Sequence, residues 1–189
     1  MRDVVLIGPT GVGKSTVAAL LGKRFGLPVV SLDSSRFEYY DEIGYDPSLA
    51  ARLRTQSFED LIRYWERYNA HAVERCLASH SGVVFDFGAV HSVYEDSELF
   101  AKVAMALSDR YVAYLLPSPD PAESVRMLHE RGREGTSLSQ DELAMWWRIL
   151  ERFVNSPCNK RLANLVIYTQ GLSPEDVASR VAAAHCKVA

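Results

Sequence analysis

The sequence predicts an α/β domain in which a five-stranded parallel sheet carries helices on both faces. Five short apolar segments recur along the chain between stretches of helical periodicity: Val4–Ile7, Pro28–Leu32, Val83–Phe87, Tyr111–Leu116 and Leu165–Tyr168. Most of them lack the polar alternation of a sheet with one wet face, which indicates strands buried on both sides. Strands that alternate with helices are typical of a doubly wound parallel sheet.

Helix boundaries are signalled at several points between these strands. A helix is predicted over Lys14–Phe25, where Gly26 ends it, and a longer one over Phe58–Ser79, which has apolar residues at helical spacing. Two later helices begin at a capping residue followed by proline: Asp120-Pro121 and Ser173-Pro174.

Length and composition predict one domain over residues 1–189. The chain has 189 residues, of which 48% are hydrophobic and 24% charged, enough to build one substantial core. The net charge of −3 comes without a cluster of Lys and Arg, so we expect no nucleic-acid partner. We expect a monomer or a homodimer.

The cysteines and the apolar segments bear on the compartment. Cys76, Cys158 and Cys186 are far apart and form no C-x-x-C pair, so neither a zinc site nor a disulfide framework is indicated. No apolar run is long enough to span a bilayer, and no signal segment precedes the first strand. We therefore expect a soluble cytoplasmic protein with no membrane partner.

The segment after the first strand has the spacing of a phosphate-binding loop. Residues 8–15 read GPTGVGKS and fit G-x-x-x-x-G-K-[ST], with a strand before and a helix after. Such a loop turns backbone N–H groups toward a polyphosphate at the start of a helix. ATP and Mg²⁺ are the expected cofactors, with Lys14 on the outer phosphates as a catalytic charge and Ser15 on the metal. The predicted nucleotide contacts in this segment are Gly8, Gly11, Val12, Gly13, Lys14, Ser15 and Thr16.

Two carboxylates follow strands that end near this loop. Asp33 comes after the second strand, where it can organise a water on Mg²⁺, accept a proton from an attacking hydroxyl, or cap a turn. Asp86 lies at the end of the third strand, a position typical of an acid that holds Mg²⁺ through water. Which of the two is the catalytic base stays open. Gly88 lets a ligand approach the backbone, and His91 is either a substrate contact or a capping residue.

A basic segment late in the chain has the character of a lid. Arg126, Arg131 and Arg133 occur around Gly132, and Gly135 follows, so residues 126–140 are predicted to close over the nucleotide. Arginines that arrive at the γ-phosphate stabilise the charge that spreads over its oxygens. The alternative is a solvated loop in which these arginines pair with neighbouring glutamates.

Together these features resemble the small P-loop metabolite kinases, and shikimate kinase most closely, from GPTGVGKST to the final helix. The resemblance implies that Arg126 stacks on the adenine and that Arg133, seven residues on, is the catalytic lid arginine. It also implies that Thr169 belongs to the loop that closes over the base.

The acceptor side departs from that family. One carboxylate, Asp33, stands where shikimate kinase has two, and the triple glycine becomes Asp86-Phe87-Gly88. Asn155 stands where an arginine holds the carboxylate of shikimate, and Arg63 is the candidate for the arginine of the long helix. Because a buried carboxylate needs such cations, we expect an acceptor other than shikimate.

The segment of about residues 34–80 is predicted to bind this acceptor. It is crowded with aromatic side chains and acids, which suit a hydroxylated small molecule such as a sugar, a nucleoside or an antibiotic. The alternative is that about half of these aromatic residues form core. The resulting prediction is a kinase that moves the γ-phosphate of ATP to a hydroxyl. The rival prediction is a regulatory P-loop NTPase that hydrolyses ATP or GTP.

Overall fold

A computed structural model of the protein describes residues 2–133 and 140–187. The predicted sheet is confirmed: its strands lie in the order β2-β3-β1-β4-β5, and every neighbouring pair is parallel. The strands are β1 Val4–Ile7, β2 Val29–Ser31, β3 Val84–Asp86, β4 Tyr111–Leu116 and β5 Leu165–Tyr168.

The helices cover the sheet and include those that the caps and apolar spacing predict. They are α1 Lys14–Phe25, α2 Leu32–Asp41, α3 Pro47–Gln56, α4 Phe58–Ser79, α5 Ser97–Ala106, α6 Pro121–Arg133, α7 Gln140–Asn155, α8 Pro157–Leu162 and α9 Pro174–His185. A short 3₁₀ turn covers Ala89–Ser92. Over the described residues, no helix is both long enough and apolar enough to cross a bilayer.

How completely each strand is buried depends on whether it lies in the centre or at the edge of the sheet. The three central strands, β1, β3 and β4, are buried along their whole length. The edge strands β2 and β5 are partly exposed, which corrects the expectation that all five are buried on both faces. An edge strand has a neighbour on one side only, so its apolar side chains are covered less completely.

The register of the central strands gathers the predicted site at one edge of the sheet. Asp86 is opposite Leu6 of β1 on one side and Ser31 of β2 on the other. The phosphate-binding loop follows β1, and Asp33 lies two residues beyond Ser31. Ligands in open parallel sheets bind beyond the carboxyl ends of the strands, and this edge is where those ends meet.

The second strand ends earlier than the sequence predicts. Ser31 is both the last residue of β2 and the N-cap of α2, so Leu32 is helical and Asp33 lies in the first helical turn. A negative charge in the first turn interacts favourably with the positive end of the helix dipole. Asp33 is therefore held at a helix start and not at the end of a strand.

Candidate functional site

The phosphate-binding loop has the backbone that its glycines predict. Gly8, Gly11 and Gly13 have φ of 143°, 81° and 100°, which side-chain-bearing residues rarely adopt. At Gly8 a Cβ would also lie 2.4 Å from the carbonyl oxygen of Leu115 in β4. The loop thus turns tightly over the neighbouring strand and leads into α1, which begins at Lys14.

Lys14 lies inside this loop and is buried. Its Nζ donates to the carbonyl oxygens of Gly8, at 2.9 Å, and Pro9, at 3.0 Å. Burial lowers the pKa of Lys14 to about 8, although the carboxylates of Asp86 and Asp33 act in the opposite direction. An ammonium whose charge is this poorly solvated gains strongly from a polyphosphate placed beside it.

Ser15 and Asp86 form the oxygen pair that was predicted to hold Mg²⁺. Asp86 is buried, and burial raises the pKa of its carboxyl, while a hydrogen bond with Ser15 and the charge of Lys14 lower it. Hydroxyl and carboxylate oxygens fit Mg²⁺, which keeps several waters and binds through one or two protein groups plus phosphates. Across residues 2–133 and 140–187, no cluster of three or more His, Cys, Asp or Glu side chains offers a different metal site.

Asp33 and Gly88 are in direct contact. A Cβ built at Gly88 would lie 2.1 Å from Oδ1 of Asp33, so the absence of a side chain makes room for the carboxylate. The Asp33 side chain is still 53% exposed, which leaves it accessible to a ligand. The structure therefore brings together the base candidate on α2 and the glycine that follows β3.

Arg36 is a site residue that the sequence analysis missed. Its Nη1 lies 3.3 Å from Oδ1 of Asp33, and its guanidinium lies 4.9 Å from the ring centroid of Phe37. Since residues three apart on a helix share a face, the spacing from Asp33 could have identified it once α2 was recognised.

His91 lies within the same group and is fully buried. Its Nδ1 is 3.9 Å from Oδ1 of Asp33, and neither ring nitrogen has a hydrogen-bond partner within residues 2–133 and 140–187. Burial, together with the positive charges of Arg36 and Lys14, lowers the pKa of His91 to about 3. These influences favour the neutral imidazole.

A cavity adjoins the phosphate-binding loop on the side of β5. It has a volume of about 250 Å³ and is lined by loop and α1 residues, by Arg131, and by the segment that leads into α9: Val12, Gly13, Thr16, Val17, Thr169, Leu172, Pro174 and Val177. Thr169 is buried, and its Oγ1 has no hydrogen-bond partner. The structure thus brings Val12, Gly13, Thr16 and Thr169 together around a space next to the phosphates.

Arg126 and Arg131 have different surroundings. The Arg126 side chain is 59% exposed and pairs with Glu123, at 3.5 Å, and Glu130, at 2.8 Å. Arg131, one and a half helical turns further along α6, lines the cavity. Arg126 remains a prediction for the base contact, and the structure adds Arg131 as a second candidate.

We expect Arg131→Ala to raise the Michaelis constant for ATP by about tenfold, as loss of a cation–π contact would. Arg126→Ala is expected to change it by less than about twofold, because its partners are exposed glutamates of its own helix. Steady-state kinetics of the two variants make the comparison. The opposite order would assign the base contact to Arg126.

The lid prediction falls only partly on the described residues. Helix α6 continues through Gly132 to Arg133, so Gly132 is not a loop hinge. A Cβ at Gly132 would lie 2.5 Å from the ring of Trp146, which packs there from α7. The side chain of Arg133, and Gly135 with the residues around it, lie outside the description.

The two acceptor-side positions compared with shikimate kinase lie apart from Asp33. Arg63 is 64% exposed and pairs with Asp60, at 3.4 Å, and Glu95, at 3.5 Å. Asn155 donates to the carbonyl of Glu151 on its own helix and lines a separate cavity of about 860 Å³ beside α5 and α8.

Most aromatic side chains of segment 34–80 lie in the hydrophobic core or pack against it. Tyr40 and Tyr68 are buried, and each stacks with Tyr45, at 5.2 Å and 5.1 Å between ring centroids. Phe37 is 47% exposed and lies beside Arg36. The alternative interpretation, that aromatics at helical spacing form core, accounts for most of this cluster, and Phe37 remains as an accessible ring near Asp33.

Comparison with known proteins agrees with this architecture. The family described as AAA domain matches residues 4–157. A shikimate kinase of Streptomyces avermitilis is 30% identical over 184 residues, which are 94% of this chain and 92% of that protein.

Solved structures match the whole chain as well. Shikimate kinase from Acinetobacter baumannii, in complex with shikimate, superposes with a TM-score of 0.65 at 16% identity and covers 100% of this chain and 94% of its own. A gluconokinase from Sinorhizobium meliloti gives 0.59 at 13% identity, with coverage of 100% and 93%. These two structures support the fold. The family to which the chain belongs is shown by the family match and by the Streptomyces relative. The chain therefore belongs to the AAA domain family, as a small P-loop kinase of the shikimate kinase type.

Proposed function

We propose that this kinase transfers the γ-phosphate of ATP to a hydroxyl of a small molecule other than shikimate, such as a sugar, a nucleoside or an antibiotic. It would act in the cytoplasm, as a monomer or homodimer, and its three cysteines are free thiols. The observation that carries the proposal is the contact of Asp33 with Gly88 at the sheet edge that also holds Lys14 and Asp86. A base and a phosphate-binding cation beside one accessible space suit transfer between two bound molecules.

The proposed reaction assigns one task to each group. The acceptor oxygen attacks the γ-phosphorus, the bond from that phosphorus to the β–γ bridging oxygen breaks, and ADP leaves. Asp33 accepts the proton of the acceptor hydroxyl, and Lys14 balances charge on the outer phosphates. Ser15 and Asp86 would hold Mg²⁺, which supplies charge neutralisation on the phosphate oxygens. Arg133 would contribute from the lid.

The choice of an acceptor other than shikimate is supported by charge. Asn155 is neutral and bonded to its own helix, and Arg63 already has two carboxylate partners. The described cation nearest Asp33 is Arg36, whose charge is matched by Asp33 itself. Among the described side chains, a carboxylate buried there would lack the second cation that usually accompanies it.

A panel of sugars, nucleosides, aminoglycoside-type antibiotics and shikimate, incubated with ATP and Mg²⁺, tests the proposal. Mass spectrometry should detect an ATP-dependent gain of one phosphate in a non-shikimate compound. Lys14→Met serves as the inactive control. Steady phosphate release that no acceptor accelerates would replace the proposal with a hydrolytic NTPase, and phosphorylation of shikimate alone would overturn the acceptor class.

We expect Asp33→Asn to lower the turnover number by roughly 10²-fold or more, because it removes the proton acceptor and keeps the shape. ATP affinity should stay within a few-fold, since Asp33 is opposite the loop that holds the phosphates. Turnover with the acceptor found in the panel, and ATP binding by calorimetry, provide the two measurements. Near-normal turnover would make Asp86 the leading base.

A further inference from the structure

His91 has an unusual environment for a polar side chain. Its ring is fully buried, and among the residues that the structure describes neither nitrogen has a hydrogen-bond partner. Its backbone is fixed on both sides, because its N–H donates to the carbonyl of Gly88 at 3.0 Å and its carbonyl accepts from the hydroxyl of Tyr94 at 3.1 Å. A buried polar group without partners costs free energy, and its retention points to a partner in the working state.

The groups around the ring limit what that partner can be. Asp33 and Arg36 approach from α2, Lys14 acts from α1, and the ring of Phe87 packs edge-on at 6.0 Å. Burial, and after it the charges of Arg36 and Lys14, disfavour a positive charge on the ring. A neutral imidazole has one N–H donor and one acceptor nitrogen. Asp33 is the carboxylate within reach, and a carboxylate can only accept.

The distance to Asp33 is short enough for a small shift to close it. Nδ1 of His91 is 3.9 Å from Oδ1 of Asp33, roughly 1 Å longer than a hydrogen bond. The same oxygen is held by Arg36 at 3.3 Å, also a long contact. Oδ1 therefore faces two nitrogens, neither of them at an ordinary hydrogen-bond distance, and Oδ2 would be left for the hydroxyl of an acceptor.

We propose that His91 is a positioning residue that directs its Nδ1–H at Oδ1 of Asp33, and that this hydrogen bond shortens and holds Asp33 in place when the acceptor is bound. The inference rests on the proposed function, in which Asp33 takes the acceptor's proton. It adds a second consequence: with Oδ1 of Asp33 held by His91 and Arg36, Oδ2 is left to the acceptor. Because the Asp33 side chain is half-exposed and accepts hydrogen bonds, this part of the site selects hydroxyl or ammonium groups over anionic ones.

The tautomer of His91 can be measured without any acceptor. In protein labelled with ¹⁵N-histidine, two-bond ¹H–¹⁵N spectra distinguish the tautomers, and a His91→Leu sample assigns the ring. We expect the Nδ1–H form, which is the minor tautomer of free histidine, and reversion toward Nε2–H in Asp33→Ala. An Nε2–H ring in the unmodified protein would overturn the proposal.

Kinetics then separate positioning from packing. His91→Leu removes both nitrogens at similar volume, and we expect turnover to fall roughly 10- to 10²-fold with the Michaelis constant for ATP unchanged. His91→Asn, whose amide can donate from nearly the same point as Nδ1, should recover most of the loss. Because Leu leaves no unpaired polar atom, the melting temperature of His91→Leu should not fall.

A double-mutant cycle shows whether His91 acts through Asp33. In an Asp33→Asn background, His91→Leu should cause little further loss, because the residue that it positions is already inactive. Losses that multiply, or a fall in melting temperature that accounts for the lost turnover, would overturn the proposal. If no compound is phosphorylated at all, the proposed function fails, while the tautomer measurement still decides the pairing of His91 with Asp33.

Discussion

Replacing Lys14 with Met is expected to lower the turnover number by roughly 10²–10³-fold or more while the protein stays folded, as loss of one preorganised charge does in other enzymes. Met matches the length of the Lys stem, so the interior of the loop stays filled. What is lost is the ammonium that now bonds to the carbonyls of Gly8 and Pro9 and would turn to the phosphates. Turnover measured with the acceptor from the panel tests this.

Because the pKa of Lys14 is lowered, Lys14→Met should also change how the free energy of unfolding depends on pH. Burial takes this pKa from 10.5 to about 8, so between these values the unfolded chain binds a proton that the folded protein has released. This group therefore makes the free energy of unfolding rise with pH across that window. Lys14→Met should lack this part of the rise. Lys23→Met, an exposed change on the same helix, is the control and should keep both turnover and pH dependence. Equal turnover in the two variants would remove Lys14 from the mechanism.

Local patterns were enough to predict the secondary structure around the phosphate-binding loop. The loop motif, the strand before it and the helix from Lys14 to Phe25 are all set within a short stretch, and α1 has the predicted bounds. The long helix Phe58–Ser79 also has the predicted bounds, because its apolar face is a local signal. Such features depend on neighbours in sequence, which a single chain displays directly.

The acceptor side could not be predicted as far, for a physical reason. Helix α2 begins directly after β2 and mixes acids with aromatic residues, so it has little apolar periodicity to reveal it. Because α2 was not recognised in the sequence, it could not be predicted that Asp33 and Arg36 share a helix face. The burial of His91 depends on α4, α8 and β1, which pack against its 3₁₀ turn and are distant from one another in sequence.

The same limit applies to the aromatic residues. The sequence around Tyr40, Tyr45 and Tyr68 is equally compatible with a ligand-binding surface and with a packed core, since both need large apolar rings at helical spacing. Only the contact of α2 with α4 decides, and it places Tyr40 and Tyr68 in the interior. That segment 34–80 binds the acceptor stays a prediction, and packing determines which of its aromatic rings remain accessible.

Gly88→Ala is expected to lower turnover by roughly 10²-fold, as much as loss of the base itself. The backbone at Gly88, with φ −64° and ψ 157°, accepts alanine without strain. The added Cβ would lie 2.1 Å from Oδ1 and 2.4 Å from Oδ2 of Asp33, so the carboxylate must rotate away from its position. Because the displaced atoms end a half-exposed side chain, the free energy of unfolding should change by less than about 1 kcal/mol.

Gly82→Ala is the matched control, since it adds the same methyl group before β3 where no atom lies within 4 Å. Its φ of 68° strains alanine, so that variant should lose about 1 kcal/mol of stability and keep its turnover. Gly88→Ala should therefore lose turnover and keep its stability, while Gly82→Ala should lose stability and keep its turnover. The decisive test combines Gly88→Ala with Asp33→Asn: turnover should be no lower than in Asp33→Asn alone, because both changes disable one group. A combined loss equal to the product of the two would mean that Gly88 contacts the acceptor directly, and that its closeness to Asp33 is incidental to the reaction.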